Sequence, residues 1–489
     1  MTATPVESGK SEIRFATIPE LAGALRRRAF SARELATATC DLLEAEGGRY
    51  NAVAAVMRKR ALREADRADR SSAPEDSEGP LRGIPYGAKD LLAARGAPTT
   101  WGAPPYRDQM LNDDATAIRR LGRAGAVLAA KLAMVELAGG GSYRYPSASL
   151  QGPGRNPWDL DRWSGGSSSG SAAAVGAGLV PYSLGSETSG SIGTPAAFCG
   201  VTGLRPTYGL VSRHGAMALS WTLDKIGPMA HTAEDCGTVL AAVAGGDRAD
   251  PSTSGRRFRP LAPDASADAT RHARIGYAEE DVAEHAAPEA RNALAAGVEE
   301  FGRIAGTMRR ATMPEGYPFG AMVGTVFGAE GASIFSELVD GGGVDALVDE
   351  RQKAGLRAAN EILARDYLHA MRLRTLLQRD FAKVFDEIDV LLTVGRTSTA
   401  PQIDKPLDAR PPGAGSTPAA DGKPLGNTPL IPAGNLAGLP AIFFPCGFGT
   451  DGLPVGLQLV GPPFSEPLLV ALVSAYQAVT HHHRMRPVV

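Results

Sequence analysis

Two serine- and glycine-rich loops hold most of the candidate chemistry of this chain. The first reads Ser164-Gly-Gly-Ser-Ser-Ser-Gly-Ser171 and the second Ser186-Glu-Thr-Ser-Gly-Ser-Ile-Gly-Thr-Pro195. Serine supplies hydroxyls, and glycine lets backbone approach a ligand closely or take positive φ, so such loops are candidate sites. The stretches AAAVGAGLVPYSLG between them and AAFCGVTGLRPT after them are apolar, which argues for a buried site and against a flexible linker. Ser191 follows a glycine-containing turn and precedes a helix start marked by Pro195. A hydroxyl there meets unpaired N–H groups and the positive end of a helix dipole, which suits a nucleophile whose acyl adduct needs an oxyanion hole. The same position suits a simple N-cap. Lys89, in LRGIPYGAKDLL, can act as a base only if burial or its neighbours lower its pKa; a surface ion pair is the alternative.

A packed scaffold must position these loops. Thr17-Ile-Pro-Glu20 and Ser31-Ala-Arg-Glu34 are capping boxes and predict two helices. Residues 51–70 read as a further helix, 71–80 as a polar loop, 81–92 as a short strand, 114–124 as a helix capped by Asp114, and 126–130 as a strand. Beyond a turn-rich boundary at 246–272 come a strand at 274–277, helices near 287–305 and 350–388, and a buried strand at 388–394. The Pro/Gly-rich segment 399–427 reads as a lid or a disordered stretch, and LPAIFFPCGF and LPVGLQLVG as a strand pair. Helices alternating with short apolar strands predict an α/β fold whose sheet is largely buried on both faces.

The 489 residues, 43% hydrophobic and 21% charged, suffice for a large core of ordinary globular composition. A net charge of −2 offers no electrostatic case for nucleic acid or an anionic membrane. Cys40, Cys199, Cys236 and Cys446 are far apart in apolar surroundings, which predicts buried free thiols in a reducing compartment. With no apolar run of ~18 residues and no signal-peptide pattern at the start, the expected location is cytoplasmic.

The two loops with their apolar flanks, together with LRGIPYGAKDLL, GRNPWD, TLDKIGPM, NLAGLPAIFFPCGF and DGLPVGLQLVG, resemble the blocks of the amidase signature family. The resemblance runs from residue 17 to residue 475 and is loose over 250–380. It implies the amidase-signature fold: α/β, with a central mixed twisted β-sheet covered by helices on both faces. It also implies a Ser–cis-Ser–Lys triad, in which Lys89 is the base, Ser167 the cis-serine relay and Ser191 the nucleophile. The oxyanion hole falls on the backbone N–H groups of Thr188, Ser189, Gly190 and Ser191. No histidine, metal or cofactor is required; the tract His481, His482, His483 is a compositional feature only.

The organisation expected from these blocks is one amidase domain overall. Within it, residues 1–70 form a helical region packing on the core or a dimer partner, and 71–245 the signature core with the triad. Residues 246–385 form a second, mostly helical substrate-pocket lobe, and 386–489 return to the main sheet. Gly193 stands where the signature commonly has arginine, and Val394-Gly395, followed by Arg396, where it has Pro-Thr. Candidate pocket residues are Tyr143, Met217, Trp221, Tyr317, Phe319, Met322 and Phe327, with Arg396 available to a substrate carboxylate or carbonyl. These features predict a metal-independent serine amidohydrolase for a small neutral aryl or alkyl amide, urea or carbamate. Water is its second substrate, nucleic acid and membrane are not partners, and family analogy suggests a homodimer. The alternative is a glutaminase-type subunit of a tRNA-dependent amidotransferase. A catalytically silent scaffold would lose Lys89, Ser167 or Ser191, and all three are present.

Overall fold

Both capping boxes form, with Thr17 and Ser31 accepting from the amides of Glu20 and Glu34 and each glutamate reaching back to its cap. They start the helices Ile18–Arg26 and Ala32–Glu46. The computed structural model describes residues 13–70, 79–408 and 425–488. Most of the 71–80 loop and of the 399–427 segment falls outside the described residues.

The strands are β1 (Val53–Val56), β2 (Pro85–Lys89), β3 (Val127–Leu132), β4 (Arg155–Asn156), β5 (Asp159–Trp163), β6 (Tyr182–Glu187) and β7 (Thr202–Arg205). They continue with β8 (Lys225–Ala230), β9 (Arg274–Tyr277), β10 (Thr307–Arg310), β11 (Val390–Val394), β12 (Ala441–Phe448) and β13 (Pro454–Val460). β4 and β5 pair as a ribbon, and the other eleven form one mixed sheet in the order β1-β3-β2-β6-β8-β7-β12-β13-β11-β9-β10. Every residue of β2, β3, β6, β8, β11 and β13 is buried, as a sheet covered on both faces requires. Alternate side chains enter separate cores: Val390, Leu392, Ile442 and Phe444 one, Leu391, Ala441 and Phe443 the other.

Two local readings give way to tertiary contacts. Residues 53–56 pair with β3 as an edge strand, so the helix there begins only at Arg58. The helix Thr116–Arg123 has Ala115, not Asp114, at its N-cap. Asp114 is taken by Arg60, at 2.8 Å, and by the amide of Arg95. The 246–385 stretch carries β9 and β10, which extend the sheet in parallel beyond β11. All four cysteines are buried and free. Burial pushes the Cys40 thiol up to about 11 and the other three further. Among the described residues no helix is long and apolar enough to cross a membrane.

Candidate active site

β2 and β6 run parallel and adjacent, so their carboxyl ends open on the same edge of the sheet. Lys89 is the last residue of β2 and is wholly buried. Its Nζ donates to Ser167 Oγ at 2.7 Å and to Ser186 Oγ at 2.9 Å. Burial pulls its pKa down to about 7, against the opposing pull of the Asp224 and Glu187 charges. Asp90, the adjacent carboxylate, turns away: it pairs with buried Lys131 at 2.7 Å and accepts from Thr100. Lys89 therefore makes no ion pair with its acidic neighbour.

Ser167 lies between β5 and the helix Ser169–Gly176, at a cis Gly166–Ser167 peptide. The two serine loops are stitched together. Ser168 N donates to Ser191 O at 3.2 Å, and Ser168 Oγ binds both the amide and the carbonyl of Ser186. The approach leaves no room for side chains at the glycines. A Cβ on Gly165 would lie 2.6 Å from Pro195 Cα, and one on Gly166 would lie 2.8 Å from both Val135 and Trp163.

Ser191 sits in the loop between β6 and the helix Gly193–Cys199 and is 8% exposed. The first amides of that helix are already occupied: Glu187 Oε2 accepts from Ile192 N at 2.8 Å and Gly193 N at 2.9 Å. Glu187 Oε1 accepts from Arg205 at 2.9 Å and Asn435 at 2.7 Å. Burial alone would raise this carboxyl, but Arg205, Asn435 and the Gly193 amide hold it down to about 2. The amides left without a partner among the described residues are those of Thr188, Ser189, Gly190 and Ser191. The sequence reading named the amides of Thr188, Ser189, Gly190 and Ser191 as donors and expected free N–H groups at the helix start as well; it misses the glutamate that caps the latter. Its signal was an acidic residue closing an apolar strand at the loop. Thr188 Oγ1 in turn donates to Asp224 at 2.6 Å, and Asp224 also accepts from Leu219 N and Ser220 N. A Cβ at Gly193 would lie 2.2 Å from Phe443 Cζ, so the ring of β12 occupies the space an arginine there would need.

The candidate pocket residues separate into two sets. Met217 and Trp221 line a cavity of about 320 Å³ together with Ser186, Thr188 and Lys225. Tyr143 Oη lies 3.1 Å from where a Cβ on Gly166 would be, and Arg396 lies over the Phe198 ring. By contrast, Phe319 and Met322 are buried in the helix Phe319–Ile334, Phe327 packs partly buried against both cores, and Tyr317 donates to Asp380 at 2.6 Å. Phe319 and Met322 belong to the core that also holds Ile192 of the second serine loop, with Tyr317 and Phe327 packed against it.

The Amidase family model matches residues 34–470. A glutamyl-tRNA(Gln) amidotransferase subunit from Moorella thermoacetica is 36% identical over 97% of this chain and 99% of its own. Among solved structures, a chain of a vestigial protein complex that reveals the evolutionary origins of an s-triazine catabolic enzyme is 29% identical. It covers 95% of this chain and 98% of its own, with a TM-score of 0.84. Native peptide amidase from Stenotrophomonas maltophilia is 28% identical over 96% of this chain and 97% of its own, with a TM-score of 0.81. The Moorella relative corrects an expectation. Full-length likeness to part of an enzyme named for an aminoacyl-tRNA overturns the reading that confined the partners to a small molecule and a second copy and excluded nucleic acid. Net charge misled because it is a sum over the surface and does not register how charge is distributed. The blocks read from the sequence, the mixed sheet that carries them and the match over residues 34–470 place the chain in the Amidase family of amide C–N bond-cleaving enzymes.

Proposed function

We propose that the chain cleaves an amide through an acyl-enzyme on Ser191, as the ammonia-releasing, glutaminase-type component of an amidotransferase-like assembly. The observation that carries the chemistry is Lys89: buried, with a pKa of about 7, and 2.7 Å from Ser167 Oγ. In its neutral form Lys89 takes the Ser167 proton while Ser167 takes that of Ser191. The Ser191 oxygen bonds to the amide carbon, and the carbonyl oxygen gains its negative charge facing the unpartnered amides of Thr188–Ser191. The C–N bond then breaks as the proton returns through Ser167 to the leaving nitrogen, which departs as ammonia from a primary amide. Water, deprotonated by the same relay, releases the acid. The full-length match to a glutamyl-tRNA(Gln) amidotransferase component supports the assembly. Four buried, unpaired cysteines support a reducing, cytoplasmic setting.

A second reading, an amidase for small amides that is active as a single chain, is favoured by the likeness to peptide amidase at a TM-score of 0.81. One set of measurements tests both. A fluorophosphonate probe is expected to label Ser191, and Lys89→Ala and Ser167→Ala to slow labelling at least ~10³-fold; an adduct on another residue sinks the triad. Ammonia release from L-glutamine that needs added subunits supports the assembly. Turnover of small amides but not glutamine by the purified chain supports the second reading.

A further inference from the structure

Lys89 is followed directly by an acid that the cleavage steps leave unused. β2 and β3 run parallel, with Ala88 opposite Lys131 and Lys89 opposite Leu132. Asp90 continues the ladder, its N–H donating to Leu132 O at 2.9 Å. Successive side chains of a strand point to opposite faces, so Asp90 returns to the face that Ala88 shares with Lys131. Ala88 lies in one core and Leu132 in the other, which puts Asp90 and Lys131 across the sheet from the Lys89 amine.

The Asp90–Lys131 pair is closed to water. Both side chains are wholly buried, and Lys131 Nζ lies 2.7 Å from Asp90 Oδ1. Thr100 donates to Asp90 Oδ2 through its amide, at 3.0 Å, and through its hydroxyl; Lys131 also donates to Thr99 Oγ1 at 2.8 Å. No hydroxyl or amide among the described residues reaches Asp90 Oδ1, so Lys131 is the one group that answers it. Burial lowers the Lys131 pKa against the pull of Asp90, while Arg60 and Asp114, paired with each other, act on it in opposite directions. A buried ion pair adds little stability over apolar side chains of the same volume, so these charges call for another reason.

That reason lies one residue away. The carboxylates whose charge acts on Lys89 are Asp224, just before β8, and Glu187, at the end of β6. Each has its own donors: Thr188 and the amides of Leu219 and Ser220 for Asp224, and Arg205, Asn435 and two amides for Glu187. A third carboxylate beside Lys89, buried and without a counter-charge, would favour its protonated form and take the base away.

We propose that Lys131 is a positioning residue for the base: by holding Asp90 on the far face of the sheet and balancing its charge, it keeps Lys89 able to take the Ser167 proton. The inference rests on the proposed amide cleavage at Ser191 and adds to it a second lysine that acts only through the first.

The test is the rate at which a fluorophosphonate probe labels Ser191 in the full chain, followed as a function of pH. In Lys131→Gln and Lys131→Met the midpoint of the acid limb is expected to move up by about one pH unit, with the rate recovering at high pH. The glutamine keeps a donor for Asp90, so that variant carries the test if the methionine variant does not fold. Asp90→Asn combined with Lys131→Gln leaves a neutral pair and is expected to return the midpoint to its wild-type value. A Lys131 that serves only packing predicts instead a rate lowered equally at every pH. A wild-type midpoint in Lys131→Gln, or a midpoint still shifted in the double variant, overturns the proposal. If the wild type does not label at Ser191 at any pH, the cleavage reading fails; if it labels and the midpoint ignores Lys131, only the role of Lys131 does.

Discussion

At the scale of single residues, Lys89 combines a depressed pKa with a hydroxyl in contact, the two properties a general base needs near neutral pH. The rate of acylation is expected to rise as pH passes through about 7 and to level above it, measured as labelling of Ser191 against pH. The same shift has a stability signature. Between pH 7 and about 10.4 the unfolded chain holds a proton that the folded chain has lost, so wild-type stability rises with pH there, by at most about 1.4 kcal/mol per unit. Below pH 7 both states are protonated and the cost of the buried charge is complete. Lys89→Met removes that cost. Its stability relative to wild type is therefore expected to be greater at pH 6 than at pH 9, read by denaturant unfolding.

At the scale of elements, the helix Gly193–Cys199 is tied back to β6 by Glu187, to β7 by Arg205 and to the helix Leu430–Ala437 by Asn435. Glu187→Gln leaves the wholly buried Arg205 without its counter-charge, which costs about 3–5 kcal/mol of stability. Thermal and denaturant unfolding measure it, and a loss below about 1 kcal/mol would show that Arg205 finds another partner. This cluster marks the limit of what the sequence shows. The capping boxes were legible because they are local, and the serine loops because hydroxyls and glycines between apolar runs have few other uses. Arg205 and Asn435 lay within recognisable blocks, but nothing in their spacing says that both end on one glutamate. Asp114 failed as a cap for the same reason: Arg60, distant in sequence, outcompeted the helix amides. The four residues of β1 carry no periodicity long enough to register as a strand.

At the scale of the molecule, the sheet draws strands from residues 53 to 460, and the amino-terminal helices are keyed onto its cover. Asp235 provides one key: buried, it accepts from Ile18 N at 3.1 Å at the start of the first described full helix. Burial raises its carboxyl to about 7. Between about pH 3.9 and 7 the folded state holds a proton that the unfolded state has released, so this group makes stability fall as pH rises through that window. Asp235→Asn keeps an acceptor for Ile18 and carries no charge. It is expected to be more stable than wild type by about 2 kcal/mol or more at pH 8, with the advantage gone near pH 4. Melting curves at both pH values check the sign.

The four thiols have a practical consequence. Cys40 lies in an amino-terminal helix, Cys199 at the end of the helix that follows Ser191, Cys236 in the helix Ala233–Val243 and Cys446 on β12. Each is buried and held as the unreactive protonated form. The chain thus carries four internal clocks. Under a maleimide pulse followed by peptide mapping, each cysteine reports how often its own neighbourhood opens. The order in which they modify is the order in which the molecule comes apart.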